Sequence, residues 1–381
     1  MSRVHVGLLL VAVLCSSGCY RMRLDLVDAS VQKPSNVALF FQMDDENGNP
    51  KPGVAVEQFR IYEDGKLIST YESKQTILNP EVSTVRYTLL LLDMSGSVVD
   101  SGQVPQLQEA VGAFLEGIDE NEKVAIYAFD GREEILPLAE FGAREATLAR
   151  KNELLSKWDT KDPSTNLHGA IVQSVAKLEE AKAGSDVPLR FGTLVIFTDG
   201  TDRAHRVTAE EAEAAIRDSG TTTFVIGLGG EVDQAEGERF GKDGFVRAAD
   251  KAAMTAAFED VAERINARGR SYYMLSYCSP SRAGSHELEV VVELEDQKGK
   301  LGYQFDAAGF EPECDPNKTP EFEIPEGGRA AEETPPAADK KPEADEKPEA
   351  DVKVKAEDKS PKPKAGDKTK PGFQTDKATA F

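Results

Sequence analysis

Between residues 84 and 270, apolar strand-like runs alternate with amphipathic helix-like runs, and this alternation limits the fold more than any other feature of the sequence. The run 85–92 is apolar apart from Arg86 and Thr88, and the run 106–117 follows it with helical spacing. Strands that alternate with helices form a parallel sheet, because each crossover helix covers one face of the sheet. We therefore predict an α/β domain over residues 84–270, with a Rossmann-like doubly wound sheet.

Short strand-like runs flank this domain on both sides. They occupy residues 36–43, 58–63 and 66–71 before it, and residues 272–277, 287–293 and 301–305 after it. Each flank is too small to bury a robust core alone, so we predict that segment 19–83 packs with segment 271–314 as one β-sandwich-like region. Two independent small β domains are the alternative.

Polar loops follow two of the predicted strands and precede one predicted helix. Asp93-Met94-Ser95-Gly96-Ser97 comes directly after the run 85–92, and Thr198-Asp199-Gly200 follows the run 191–197. The third loop, Pro163-Ser164-Thr165-Asn166-Leu167, begins a helix. Open α/β sheets bind ligands beyond the carboxyl ends of their strands, so we expect the three loops to meet at one edge of the sheet.

The side chains of these loops suit a hard cation. Hydroxyl and carboxylate oxygens are the ligands that Mg²⁺ prefers, in near-octahedral geometry with some water retained. A lone Asp-x-Ser-x-Ser loop is weak evidence, because Ser, Gly and Asp are common in ordinary loops. The two further loops, in the right order on their own strand-to-helix connections, favour a metal site.

Together the three loops resemble the metal-ion-dependent adhesion site of von Willebrand factor A domains, and the resemblance covers about half of the chain. It implies that residues from all three loops surround one ion: Asp93, Ser95, Ser97, Thr165 and Asp199. It also implies that a partner protein supplies an Asp or Glu carboxylate to the ion. We expect Mg²⁺, with Mn²⁺ or Ca²⁺ as alternatives. Residues 59–65 resemble the strand that precedes the metal domain in bacterial von Willebrand factor A related proteins.

The amino terminus has the pattern of a secretory signal, with Arg3, an apolar run at 6–14 and small residues before Cys19. Ser16-Ser17-Gly18-Cys19 resembles a bacterial lipobox, which implies removal of the signal peptide 1–18 and a lipid anchor on Cys19. Ser16 stands where that family usually has Leu, so cleavage by the ordinary signal peptidase is the alternative. The apolar run is shorter than the roughly 20 residues that span a membrane.

Export with lipidation would also assign a role to each of the four cysteines. Cys15 is removed with the signal and Cys19 carries the lipid, which leaves Cys278 and Cys314 to pair with each other. An oxidising compartment favours this disulfide. Two buried free thiols are the alternative.

The charge of the chain excludes some classes of binding partner. The formal net charge of −22 argues against nucleic acid or anionic lipid as the main partner, because phosphate contacts need a basic face.

The composition changes near the carboxyl terminus. From residue 315 to 381, branched apolar residues are scarce and Pro, Lys, Glu and Ala recur without a regular period. Such a segment buries too little surface to offset its ordering entropy, so we predict a disordered tail.

Other motifs favour structural roles. We expect a tight turn at residues 227–230 and a solvent-facing or helix-capping His168. Asp202 and Arg203 either tune the choice of partner or form an exposed charged turn. The sequence lacks a convincing Ser/His/Asp arrangement, an HExxH motif and paired Cys-x-x-Cys spacing, so we expect no enzyme activity.

These features together predict an envelope lipoprotein, held at the outer membrane and facing the periplasm or the cell surface, that binds protein ligands through a metal ion. A non-adhesive metal-stabilised scaffold is one alternative. An accessory subunit of an envelope enzyme complex is the other.

Overall fold

The computed structural model describes residues 22–156, 158–230, 232–294 and 297–323. The predicted signal peptide 1–18, the lipidation site Cys19 and the tail beyond residue 323 lie outside these ranges. In the described ranges, no helix has both the length and the apolar character that a membrane span requires.

From residue 22 onward, where the description begins, five strands precede the central domain. They are β1 (Met22–Gln32), β2 (Asn36–Asp45), β3 (Phe59–Glu63), β4 (Lys66–Leu67) and β5 (Thr76–Leu78), with short 3-10 helices at Val56–Gln58 and Pro80–Val82. The strand predicted at 66–71 is limited to Lys66–Leu67.

The central sheet has six strands in the order β11-β10-β9-β6-β7-β8. They are β6 (Thr84–Asp93), β7 (Glu122–Phe129), β8 (Leu136–Ala143), β9 (Leu189–Thr198), β10 (Thr222–Leu228) and β11 (Gly244–Ala248). Five are parallel, and β8 pairs antiparallel with β7 at one edge. The predicted doubly wound α/β fold is confirmed.

Seven α-helices belong to the described part of this domain. They are α1 (Gly96–Asp100), α2 (Val104–Gly117), α3 (Arg144–Leu148), α4 (Leu167–Ala183), α5 (Ala209–Ser219), α6 (Gln234–Phe240) and α7 (Met254–Arg270).

Successive residues of β6 pack against opposite layers of helices, as strand geometry requires. Leu90 lies in a buried cluster with Phe114 of α2 and Phe258 of α7. Leu91 lies in a second buried cluster with Ile171 of α4. Because each such side chain stabilises the fold by roughly 1.5–3 kcal/mol on burial, the two clusters hold β6 rigidly and fix the position of the loop that follows it.

The flanking strands form two further sheets. Strands β12 (Tyr272–Cys278), β13 (Ser285–Leu294) and β14 (Gln297–Asp306) follow the central domain. The sheet orders are β1-β2-β12-β5 and β14-β13-β3-β4, so each sheet combines strands from before and after the domain. Phe41, Phe59, Tyr273 and Val290 belong to one buried cluster that both sheets share. The central domain is thus inserted between β5 and β12.

The chain remains packed beyond residue 315, where the sequence predicts that the tail begins. Phe322 is buried, with its ring 6.4 Å from the ring of Phe40, and the Glu321 amide donates to Ser30 Oγ at 3.1 Å. The predicted disulfide between Cys278 and Cys314 is confirmed, and it joins β12 to this terminal segment.

Replacing both disulfide cysteines, Cys278→Ser with Cys314→Ser, should lower the free energy of unfolding by about 2–4 kcal/mol, because the bond closes a loop of 36 residues in the unfolded chain. Urea unfolding measures the change. Wild-type protein in reductant serves as the control and should unfold at the same urea concentration as the double variant. Unfolding midpoints equal to that of the oxidised wild type would contradict the prediction.

Candidate metal centre

Two acidic residues lie at the same edge of the central sheet because their strands are parallel neighbours. Asp93 is the last residue of β6, and Asp199 follows the last residue of β9. Strands β6 and β9 pair in register, with Leu92 opposite Phe197. The two carboxylates therefore emerge from adjacent strand ends.

The Asp93 carboxylate is completely buried and held from two sides. Its Oδ1 accepts a hydrogen bond from the Ser95 amide at 2.9 Å, and its Oδ2 accepts one from the Thr198 hydroxyl at 2.7 Å. Burial raises the pKa of Asp93 to about 6, although the hydrogen bonds from Ser95 and Thr198 oppose this rise. A positive charge nearby would stabilise the ionised form.

A chain of hydroxyls connects this buried carboxylate to the surface. Ser95 is the N-cap residue of α1, yet its hydroxyl makes no capping bond and lies 3.2 Å from Ser97 Oγ. Ser97 Oγ donates to Asp199 Oδ1 at 2.8 Å. Ser95 is buried and Ser97 is exposed, so the cluster opens to solvent on the Ser97 side.

The loop that carries Thr165 contacts both of the other loops through its backbone. The Pro163 carbonyl accepts from the Gly96 amide at 3.0 Å, and the Thr165 carbonyl accepts from the amides of Arg203 and Ala204 at 2.8 and 3.0 Å. A Cβ on Gly96 would lie 2.8 Å from Pro163 Cβ, so only glycine permits this approach. Thr165 is buried, and no hydrogen bond from the described residues reaches its hydroxyl.

The structure thus brings the three predicted loops together. Side-chain and backbone hydrogen bonds join Asp93, Ser95, Ser97 and Asp199 directly. The Thr165 loop is held beside them by backbone bonds from Pro163 to Gly96 and from Thr165 to Arg203 and Ala204.

Asp130 is a buried acid near this site that was not among the predicted site residues. It follows β7 at the same sheet edge and is completely buried. Its carboxylate accepts from Arg132 Nε at 2.8 and 3.0 Å, from the Arg132 amide at 2.9 Å and from the Lys161 amide at 3.0 Å. Burial alone would raise the pKa of Asp130, but these donors lower it. Asp130 therefore fixes residues 159–166, the segment that carries Thr165.

One family model matches the part of the chain that carries this site. Residues 89–264 match the family model of the von Willebrand factor type A domain. This part of the chain is a von Willebrand factor type A domain. All five predicted site residues fall inside the matched range. No curated protein matched the sequence.

Several solved structures are similar to the chain at low identity. A von Willebrand factor type A protein from Catenulispora acidiphila is 10% identical, with a TM-score of 0.43, over 78% of this chain and 75% of that one. The ArnB paralog VWA2 from Sulfolobus acidocaldarius is 16% identical, with a TM-score of 0.39, over 74% and 73%. The manganese-loaded TRAP protein of Plasmodium vivax is 12% identical, with a TM-score of 0.38, over 65% and 98%.

Two expectations near the metal loops of the type A domain were wrong. Asp202 does not lie in an exposed turn: it is buried, because its carboxylate accepts from the His168 amide at 3.1 Å and from the His205 amide at 2.8 Å. His168 is not solvent-facing, because its ring packs 5.3 Å from the ring of Phe240 and its Nε2 lies 3.5 Å from Glu236 Oε1. Both residues brace the start of α4 against neighbouring segments.

The donor set of the type A domain fits a hard divalent cation. It offers hydroxyls from Ser95, Ser97 and Thr165 and carboxylates from Asp93 and Asp199. Within the described ranges, no three His, Cys, Asp or Glu side chains cluster in a way that could hold a metal. Two carboxylates at one edge would have their charge balanced by one divalent ion.

Proposed function

We propose that this chain is an envelope lipoprotein whose von Willebrand factor type A domain binds protein ligands through one divalent cation. The observation that supports the proposal is the convergence of Ser95, Ser97 and Asp199 oxygens, 2.8 to 3.2 Å apart, beside the buried Asp93 carboxylate. We expect the cation to be Mg²⁺, with Mn²⁺ or Ca²⁺ as alternatives. The lipid on Cys19 would hold the protein at the outer membrane.

Some residues of this chain would coordinate the ion directly, and others would orient those ligands. The hydroxyls of Ser95, Ser97 and Thr165 are neutral ligands, so the bound ion would stay electrophilic toward a further oxygen. The carboxylates of Asp93 and Asp199 would hold those hydroxyls and coordinated waters in place. Ser97 is exposed, so a partner's Asp or Glu carboxylate could approach the ion from its side. The proposal involves no catalytic step.

Calorimetric titration of Mg²⁺ and Mn²⁺ into the full chain tests the metal site. Ser97→Ala and Thr165→Val each remove one hydroxyl, and the second keeps the branched shape of a buried side chain, so we expect affinity to fall at least about tenfold in each variant. Ser101→Ala is the matched control, because Ser101 is exposed and its hydroxyl donates only to the Val98 carbonyl. Equal affinity in all four proteins would refute the site.

Two further measurements test the remaining parts of the proposal. Capture of envelope proteins on the wild-type chain should require Mg²⁺, should be reversed by EDTA and should be absent with Thr165→Val. Mass spectrometry of the mature chain should find an acylated Cys19 at its amino terminus. A mature chain that starts elsewhere would remove the lipid anchor from the proposal.

A further inference from the structure

A polar cleft of about 540 Å³ lies at the edge of the central sheet opposite the candidate metal centre. Thr222 begins β10 and Asp243 precedes β11, and both residues line the cleft. Asp93 and Asp199, in contrast, stand at the ends of β6 and β9. Because these four strands are parallel, their starts and their ends lie at opposite edges of the sheet.

The cleft wall contains more cations than carboxylates. Arg23, Lys242 and Arg268 line it together with two acids, Asp44 and Asp243. Arg268 Nη1 lies 3.0 and 3.1 Å from the two oxygens of Asp44, which is 2% exposed, and Arg23 Nη2 lies 3.6 Å from the same carboxylate. One buried acid therefore orients two guanidinium groups. Arg23 Nε also pairs with Asp25 at 2.7 Å, so Arg23 is shared between two carboxylates and Lys242 and Arg268 carry most of the positive charge that remains.

Further donors in the cleft are not used by the described part of the chain. Lys242 is exposed and makes no ion pair there. Tyr272 stacks on Phe40 at 5.5 Å, and its hydroxyl has no hydrogen-bond partner among the described residues. Burial raises the pKa of Tyr272 to about 12, so the hydroxyl keeps its proton and can donate at neutral pH. Fixed cations and a fixed hydroxyl donor together match an oxyanion such as a phosphate.

The cleft also lies near the predicted membrane anchor. Arg23 is four residues after Cys19, a distance that an extended chain spans with about 14 Å at most. With an acylated Cys19, Arg23 must therefore stay close to the headgroup layer. The net charge of −22 opposes broad contact with an anionic bilayer, so a contact with lipid phosphate must be local and cationic.

We propose that this cleft binds the phosphate of a lipid headgroup in the membrane that carries the anchor. The metal centre at the opposite sheet edge then points away from that bilayer, toward its protein ligand. The inference rests on the lipid anchor in the proposed function. Tethering raises the effective headgroup concentration into the millimolar range, so a weak site is sufficient.

The first experiment measures headgroup binding without the anchor. The full chain with Cys19→Ser is titrated with a soluble short-chain phosphatidylglycerol below its micellar concentration, followed by NMR. We expect shifts confined to amides around residues 220–223 and 242–244, and about fivefold weaker binding for Arg23→Gln or Lys242→Gln. Lys66→Gln, an exposed lysine on β4 away from the cleft, is the control and should bind as wild type. No binding, or equal weakening in the control, would overturn the proposal.

The second experiment separates a lipid phosphate from free phosphate. The acylated chain is placed on phosphatidylglycerol vesicles, and hydrogen exchange should show that the same amides are protected. This protection should be lost in Lys242→Gln and should persist when millimolar inorganic phosphate is added. Binding of inorganic phosphate without protection on vesicles would overturn the lipid assignment. The same variants should bind Mg²⁺ normally, so loss of the metal function and loss of the cleft function are told apart. An unacylated Cys19 would remove the anchor and leave the titration of the Cys19→Ser chain interpretable.

Discussion

Asp93→Asn should abolish Mg²⁺ binding and at the same time stabilise the metal-free chain at pH 7 by about 1–3 kcal/mol. The reason is that the wild-type carboxylate is completely buried and ionised at that pH when no cation compensates it. Asparagine carries no charge, yet its oxygen can still accept from the Ser95 amide. Its amide group can donate to Thr198 Oγ1, whose hydroxyl already lies 3.1 Å from the Gly200 carbonyl.

The pH dependence of this effect has a definite sign. The folded-state pKa of Asp93, about 6, lies above its ordinary value of 3.8, so between these two pH values the folded chain binds a proton that the unfolded chain does not. The protonated form of Asp93 contributes its full share to the free energy of unfolding below pH 3.8. This contribution, about 3 kcal/mol, is lost as the pH rises through about 6. In EDTA, the free energy of unfolding of Asp93→Asn should therefore exceed that of the wild type by an amount that grows from pH 4 to pH 7.

Urea unfolding in EDTA and in Mg²⁺ measures the stability of the wild type and of Asp93→Asn. Calorimetry measures whether each protein binds Mg²⁺. Mg²⁺ at about one hundred times its dissociation constant should stabilise the wild type by about 2.7 kcal/mol and leave the variant unchanged. Asp100→Asn, an exposed acid in α1, is the matched control and should behave as wild type in both conditions. An Asn variant that is less stable in EDTA, or that still responds to Mg²⁺, would contradict the account of Asp93.

Asp130→Ala should cost about 3–5 kcal/mol of stability and also weaken Mg²⁺ binding strongly. The substitution leaves the Arg132 guanidinium and the Lys161 amide without their acceptor. Residues 159–166 then lose the side chain that fixes them, and Thr165 loses its position with them. The metal effect is therefore expected although Asp130 itself is not assigned as a ligand.

Two companion variants make this second prediction specific. Asp130→Asn keeps one acceptor oxygen and removes the charge, so it should fall between alanine and wild type in both stability and Mg²⁺ affinity. Asp159 lies on the same loop, but its side chain is 71% exposed and among the described residues it pairs only with Lys161. Asp159→Ala should therefore leave both quantities unchanged. Wild-type Mg²⁺ affinity in Asp130→Ala would show that this carboxylate does not position the Thr165 loop.

The sequence was sufficient for most strands of the central sheet and for the order of its polar loops, because both depend on local patterns. The run 85–92 is apolar enough to be a buried strand in any context, and Asp93 directly after it must lie at a strand end. The same logic applied to Asp130 after β7, but an Asp-Gly pair also signals a turn. Its contacts with residues 159–166 arise from long-range packing that no local pattern reports.

Several elements were not predicted, and four of them show why. Strand β5 has only three residues and is a strand because β12 pairs with it. Helix α6 contains Gly237, a poor helix former, where a Cβ would lie 2.6 Å from the Phe245 ring. Strand β11 lies at the edge next to β10, and β1 alternates only partly in burial. Tertiary contacts decide all four elements.

The most direct test of the metal centre is anomalous diffraction from a crystal of the chain grown with Mn²⁺. We predict one strong anomalous peak at the carboxyl edge of the central sheet, within about 2.0–2.4 Å of hydroxyl oxygens from Ser95, Ser97 and Thr165. The Asp93→Asn crystal should show no peak there. A wild-type crystal without a peak at this edge, or with its peak on other side chains, would contradict the proposal that three separate loops hold one cation.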